Sequence, residues 1–135
     1  MSDLVAIYES NCNGLGDNMT LGIILFVLFV HFVFDFMLQT DEMAINKSKS
    51  FGWLGIHSIA YAFWGIPISL IYGIPMFVVY LFITHFCIDG ITSRITSYLW
   101  KNEKRHWFFV TIGFDQFLHY ATIFWYLSLF SQHLR

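Results

Sequence analysis

The chain has 135 residues, of which 57% are apolar, 21% aromatic and only 12% charged. Soluble domains average about 25% charged residues, so this composition, with a mean hydropathy of +0.61, predicts an integral membrane protein. The net charge of −2 argues against nucleic acid as a partner, because nucleic-acid binding requires a basic surface that neutralises phosphates.

Four apolar segments follow one another, and each is long enough for a helix across a bilayer, which needs about 20 residues. They cover about residues 20–40, 51–72, 74–96 and 107–130. We therefore predict an all-α, polytopic fold in which residues 20–131 form an antiparallel bundle of four transmembrane helices. Residues 1–19 form a polar, acidic tail. Pro67 is expected to kink the second helix, because proline removes a backbone donor.

The basic residues indicate the orientation of this bundle. Six of the seven Lys and Arg residues flank the first–second and third–fourth connections, and only Arg135 lies on the other side. The positive-inside rule therefore places these two connections in the cytoplasm, and it places the amino-terminal tail and both termini outside. The simplest role of the six is to set the topology, and the alternative is binding of anionic lipid or phosphate. The six are Lys47, Lys49, Arg94, Lys101, Lys104 and Arg105.

Three apolar segments each carry a His and an Asp four residues apart, a spacing that puts both side chains on one helix face. Ionisable groups inside a bilayer are costly and usually functional. Depth is counted from the cytoplasmic end of each segment at 1.5 Å per residue. The three Asp and the His of the second segment lie roughly 8–12 Å below the cytoplasmic surface, and the other three His lie in a deeper layer at roughly 14–18 Å. The pairs are His31 with Asp35, His85 with Asp89 and Asp115 with His119, and the second segment carries His57.

These seven residues are the candidate metal ligands, because imidazole and carboxylate together suit a divalent transition metal, with zinc first among them. In a one-metal version, His31, His85 and His119 bind the metal, and each Asp lies one turn away as an orienting acceptor. The seven are also enough for two metals. Gln116 either reaches this site or hydrogen-bonds a neighbouring helix. The seven are His31, Asp35, His57, His85, Asp89, Asp115 and His119.

Several motifs resemble a known family. They are HFVFDFMLQTDEMAINKSK (31–49), the lone His57, HFCIDGITSR (85–94) and FDQFLHY (114–120). Together they resemble a family of small integral membrane proteins of bacteria and their phages that is classed as a domain of unknown function. The resemblance covers roughly residues 28–122 and implies a multi-pass protein of the bacterial inner membrane, encoded by a bacterium or by a phage, with no established activity. The motif style is also similar to membrane-bound metal-dependent hydrolases, and that likeness implies metal binding by all three His–Asp pairs.

Three functions remain open at this point. The preferred hypothesis is a metal-dependent hydrolase acting on a lipid-linked or head-group substrate, with membrane lipid as its partner and Asp35 or Asp115 as the catalytic general base. The second is a proton or metal-ion conductor or transporter, which would be a homo-oligomer because four short helices leave little room for a pore. The third is a phage-type membrane effector that binds a host protein and whose polar core is purely structural.

Overall fold

The structure, a computed structural model, describes residues 21–133, and these residues are helical with short connections and no strand among them. The predicted all-α class is therefore confirmed. The predicted tail, residues 1–19, lies outside the described residues. The helices are α1 (Leu21–Met37), α2 (Asp41–Asn46), α3 (Phe51–Ala62), α4 (Gly65–Tyr72), α5 (Met76–Lys101) and α6 (Arg105–His133).

The first helix ends in a turn of π-helix, Val33–Met37. One extra residue per turn rotates the side chains at this point, and such π-turns are frequent at functional sites. Asp35 lies in the turn and is 3% exposed. The connection that follows contains the short helix α2, which the sequence did not predict. Its start is capped by Thr40, whose hydroxyl accepts a hydrogen bond from the backbone N–H of Met43 at 3.2 Å.

The second predicted segment is broken into α3 and α4, which meet at an angle of 44°. Pro67 lies in the first turn of α4, where its missing N–H removes no intrahelical hydrogen bond. The break therefore falls just before the first turn that contains proline. α4 ends at Gly73, whose φ of +66° is left-handed and favours glycine.

Helix α5 lies at the centre of the fold and packs against α3, α4 and α6. The half of the bundle near the α4–α5 turn is filled by an apolar core. α4 approaches α5 closely at Gly65, where an added Cβ would lie 2.6 Å from Cδ1 of Leu81. The most buried members of this core are Val27, Tyr61, Phe77, Leu81 and Ile123, each at most 1% exposed.

Not all of the four predicted membrane crossings correspond to helices that are long and apolar enough to span a bilayer. Among residues 21–133, α5 is long and apolar enough to cross a bilayer by itself, and α3 with α4 passes the same test as one broken span. α1 is apolar but shorter over its described residues. The crossing of all four segments stays a prediction.

Candidate metal centre

The structure brings the seven predicted side chains together inside the bundle. His31 and Asp35 come from α1, His57 from α3, the second pair from α5 and the third from α6. All except Asp115 are at most 3% exposed, and the side chain of Asp115 is 14% exposed. Charged and polar groups so deeply buried require partners that compensate for the lost water.

Four ligand atoms from three helices surround one point. The Nε2 atoms of His57 and His85 lie 3.0 Å apart. Asp35 Oδ1 lies 3.2 Å from the first and 3.5 Å from the second, and Asp89 Oδ2 lies 3.3 Å and 3.6 Å from them. Zinc ligands at about 2.0–2.1 Å from a tetrahedral metal are roughly 3.3–3.4 Å apart. These four side chains can therefore hold a metal ion, and one ligand atom from each lies within 4.8 Å of the others.

The charge of the cluster also fits a divalent cation. Asp35, Asp89 and Asp115 bring three carboxylates, and Lys47 is the one ammonium that forms an ion pair with them among the described residues. With the imidazoles neutral, the formal charge is −2. A proton on one imidazole nitrogen can serve one acceptor at a time, whereas a metal ion satisfies all four ligand atoms at once.

Each of the two carboxylates at this point is held by its second oxygen. The amide Nε2 of Gln116 donates to Asp35 Oδ2 at 3.0 Å. The Nε2 of His119 lies 3.2 Å from Asp89 Oδ1 and donates to it. Donors of this kind orient metal-ligating carboxylates and are as much a part of a metal site as the ligands themselves.

His31 occupies an outer position. The hydroxyl of Tyr61 donates to its Nδ1 at 2.7 Å, so the Nε2–H donates to Gln116 Oε1 at 2.8 Å. This tautomer follows from the hydrogen-bond network. The Gln116 amide then spans Asp35 and Asp115, because its Nε2 also lies 3.1 Å from Asp115 Oδ2. The structure therefore places His31 behind Gln116 and outside the four-atom group, in contrast to its predicted place among three His ligands.

Ring stacking fixes the orientation of His85. Its imidazole stacks on Tyr61 with the ring centroids 3.8 Å apart and on His119 with the centroids 4.4 Å apart. Its Nδ1 is buried and has no hydrogen-bond partner among the described residues. The stacked rings of Tyr61 and His119, and not a hydrogen bond to Nδ1, therefore orient the His85 Nε2 towards the other three ligand atoms.

A second group of possible ligands lies beside the first and shares Asp35 with it. It consists of Asp35, Asp115 and His119, each of which offers a ligand atom within 4.8 Å of the others. Here the carboxylates already have donors, because Gln116 bridges them and the hydroxyl of Thr92 donates to Asp115 Oδ1 at 2.6 Å. The four-atom group offers four ligand atoms against three and is therefore the better metal position.

The network contains three residues beyond the seven predicted ligands, namely Lys47, Gln116 and Tyr61. Lys47, which was assigned mainly to topology, reaches in from the turn after α2, and its Nζ lies 2.7 Å from Asp89 Oδ2 and 3.5 Å from His57 Nε2. The sequence leaves open whether Gln116 reaches the site, and in the structure its amide donates to Asp35. Tyr61 was not singled out, although it follows His57 by four residues and so shares its helix face.

A family model described as "Protein of unknown function (DUF3307)" matches residues 23–134. The chain belongs to this family. No curated protein and no solved structure matches the chain. The matched region contains all seven predicted site residues, Lys47, Tyr61 and Gln116, so the cluster lies wholly within the DUF3307 domain.

A cavity of about 570 Å³ leads from the cluster to the outside of the DUF3307 domain. Asp35, Asp89 and Asp115 line it, together with residues from the connections on either side of α2 and from the last turns of α5. A molecule that enters this cavity can therefore reach the carboxylate side of the cluster. Such an approach is a requirement for catalysis at the cluster, because water and substrate must reach a catalytic metal.

Proposed function

We propose that the protein is an integral membrane, metal-dependent hydrolase with one zinc ion held by Asp35, His57, His85 and Asp89. The observation that carries this proposal is the convergence of two imidazole nitrogens and two carboxylate oxygens at separations of 3.0–3.6 Å. Bound there, zinc would take a water or substrate oxygen from the cavity side as a fifth ligand, and it would lower the pKa of that water or polarise the substrate.

The distribution of polar and apolar side chains supports the membrane part of the proposal. The interior holds His and Asp side chains that are nearly inaccessible, while large apolar side chains cover the outside. Leu70, Ile71 and Trp125 are 78%, 75% and 67% exposed. A soluble protein rarely exposes so much apolar surface, whereas a protein in lipid gains by doing so.

We further propose four crossings, with α1, α3–α4, α5 and α6 each spanning the bilayer. In this arrangement both termini lie outside, and the cavity, whose lining includes Lys47, Lys49 and Lys101, opens towards the cytoplasmic face. The bacterial inner membrane is the proposed location, in keeping with the resemblance stated above. The substrate then approaches from the inner leaflet or the cytoplasm.

Asp115 is the better general base of the two predicted. Oδ1 of Asp35 faces the metal position, so that carboxylate is engaged as a ligand. Asp115 is more exposed, lines the cavity and keeps its carboxylate oriented through Thr92 and Gln116. It can therefore accept a proton from a water molecule that attacks a substrate in the cavity.

Elemental analysis of the purified protein tests the metal site. We expect stoichiometric zinc in the wild type and its loss in His57→Ala and in His85→Ala. The matched control is His106→Ala, because His106 stacks edge-on against Trp107 outside the cluster and its removal leaves the four ligands intact. Equal zinc in all three variants, or a folded wild type that takes up no zinc, contradicts the proposal.

Ion or proton conduction remains the main alternative. The polar network ends at Tyr61, and the apolar core of Val27, Phe77, Leu81 and Ile123 lies between it and the α4–α5 end of the bundle. This arrangement disfavours a path through a single chain, so conduction requires a homo-oligomer. Ion flux in liposomes that is abolished by Asp89→Asn would support it.

The third alternative is a phage-type effector with a structural polar core. It predicts that Asp35→Asn, Asp89→Asn and Asp115→Asn keep biological activity and lose only thermal stability.

A further inference from the structure

The cavity carries a cationic wall that the metal site does not use. Lys47, Lys49 and Lys101 all line it. Lys47 is paired with Asp89, whereas Lys49 and Lys101 form no ion pair with any described residue. Two lysines without an acidic partner in the wall of a cavity attract an anionic ligand to the space beside them.

The cavity also offers a hydroxyl group without a partner. Ser93 lines the cavity, and its buried Oγ has no hydrogen-bond partner among the described residues. A buried hydroxyl left unpaired costs free energy, so a ligand oxygen placed beside it would be stabilised. Lysine ammonium groups together with a hydroxyl are common binding groups for phosphate.

The remaining wall is apolar. Phe36, Ile45, Trp100 and Phe108 line the cavity. Phe36, Ile45 and Trp100 are also 43%, 60% and 49% exposed, so the apolar wall continues onto the outer surface. A ligand with a hydrocarbon part can therefore extend from the cavity towards lipid.

We propose that the cavity binds a phosphate monoester, with the phosphate against Lys49, Lys101 and Ser93 and the alcohol part along the apolar wall. The binding site stands on the cavity alone, and hydrolysis of the bound ester rests on the proposed metal function. In that reaction, the oxygen of one water molecule bonds to phosphorus and the bond between phosphorus and the ester oxygen breaks. One proton of the water passes by way of Asp115 to the leaving alcohol, so the products are the alcohol and inorganic phosphate.

The source of the phosphate is either a membrane lipid or a soluble ester, and three probes distinguish them. Dioctanoyl phosphatidic acid carries both a phosphate and hydrocarbon chains. Glycerol phosphate lacks the hydrocarbon chains, and dioctanoyl glycerol lacks the phosphate. Binding of each to the zinc-loaded, detergent-solubilised protein is measured by titration calorimetry. We expect phosphatidic acid to bind tightest, as a lipid source requires. Equal binding of glycerol phosphate supports the phosphate site with a soluble source, and equal binding of dioctanoyl glycerol overturns the proposal.

Charge variants then test the lysines. We expect Lys49→Gln combined with Lys101→Gln to weaken binding of phosphatidic acid by about tenfold or more, because the variant lacks both lysines proposed to bind the phosphate. The corresponding double substitution by Arg should retain binding. The control is Lys104→Gln, which removes one positive charge from an exposed position that does not line the cavity. Unchanged binding in the double Gln variant overturns the proposal.

Zinc content is measured on the same samples, and it separates this inference from the proposed function. A protein that holds zinc but binds no phosphate ester contradicts the inference and leaves the metal site standing. A protein that binds the ester but no zinc contradicts the metal function and leaves the binding site standing.

Discussion

The Nε2 atoms of His57 and His85 face each other at 3.0 Å, although the two residues lie on different helices and 28 positions apart. Two neutral imidazoles in this position share at most one proton between them, and Asp35 and Asp89 add a carboxylate oxygen on either side. The arrangement concentrates electron pairs at one point of a buried site. A cation at that point would offset the repulsion between these electron pairs. The separations of 3.0–3.3 Å between the nitrogen and oxygen atoms suit the ligands of a metal ion.

The Gln116 amide holds two carboxylates and His31 in place, so its removal should loosen the metal site without unfolding the bundle. We expect Gln116→Leu to lower the zinc affinity by about 10–100-fold, the usual cost of losing a group that orients a metal ligand. Competition with a chelator measures the affinity, and circular dichroism checks the helix content. Gln39→Leu is the control, because Oε1 of Gln39 is buried without a hydrogen-bond partner among residues 21–133. An equal affinity in both variants would contradict this role of Gln116.

The hydroxyl of Tyr61 contributes to stability through its hydrogen bond to Nδ1 of His31, 2.7 Å away. Tyr61→Phe removes this donor and keeps the ring that stacks on His85. We expect the free energy of unfolding to fall by about 1–3 kcal/mol, because a buried acceptor is left unpaired. Tyr98→Phe serves as the comparison, since Tyr98 is 61% exposed and its change should stay within about 0.5 kcal/mol. Denaturant titration in detergent measures both, and equal losses would assign no special role to the bond.

Lys47 competes with the metal for Asp89 Oδ2, which its Nζ approaches to 2.7 Å. Lys47→Met removes this positive charge, so a divalent cation meets less repulsion at the same ligands. We expect zinc to bind about tenfold more tightly, while the metal-free protein loses thermal stability because its carboxylates lose their counter-charge. Chelator competition and thermal unfolding measure the two effects. The control is Lys104→Met at an exposed position, and weaker zinc binding in Lys47→Met would show that Lys47 supports the site instead of competing with the metal.

The spacing of the His–Asp pairs predicted which side chains share a face, because a separation of four residues fixes this on any α-helix. It did not predict which atoms meet. The π-turn around Asp35 rotates that carboxylate, and the 44° break before α4 alters the path of the second segment. The π-turn has no signal in hydropathy, whereas the break falls in the segment in which Pro67 predicts a kink. Lys47 enters from a connection whose short helix depends on the Thr40 cap, so its reach depends on local geometry that a polar composition does not specify.

The four-crossing topology predicts which surfaces a membrane-impermeant reagent can reach. α5 has 26 residues, roughly 39 Å at 1.5 Å per residue, which exceeds the hydrocarbon thickness of about 30 Å, so its two ends should lie on opposite sides. With Cys12 and Cys87 replaced by Ser, we expect a maleimide to label Tyr72→Cys on intact spheroplasts and Lys104→Cys only after the membrane is disrupted. Both positions are exposed.

A third position controls for burial in lipid. Ile83 is 52% exposed and lies roughly 10 Å along α5 from Met76, so Ile83→Cys should resist labelling on either side of a bilayer and react only in denaturant. Labelling of Ile83→Cys and Tyr72→Cys at equal rates in spheroplasts would place α5 outside the membrane. Labelling of Lys104→Cys before disruption would reverse the orientation, and the cavity would then open away from the cytoplasm.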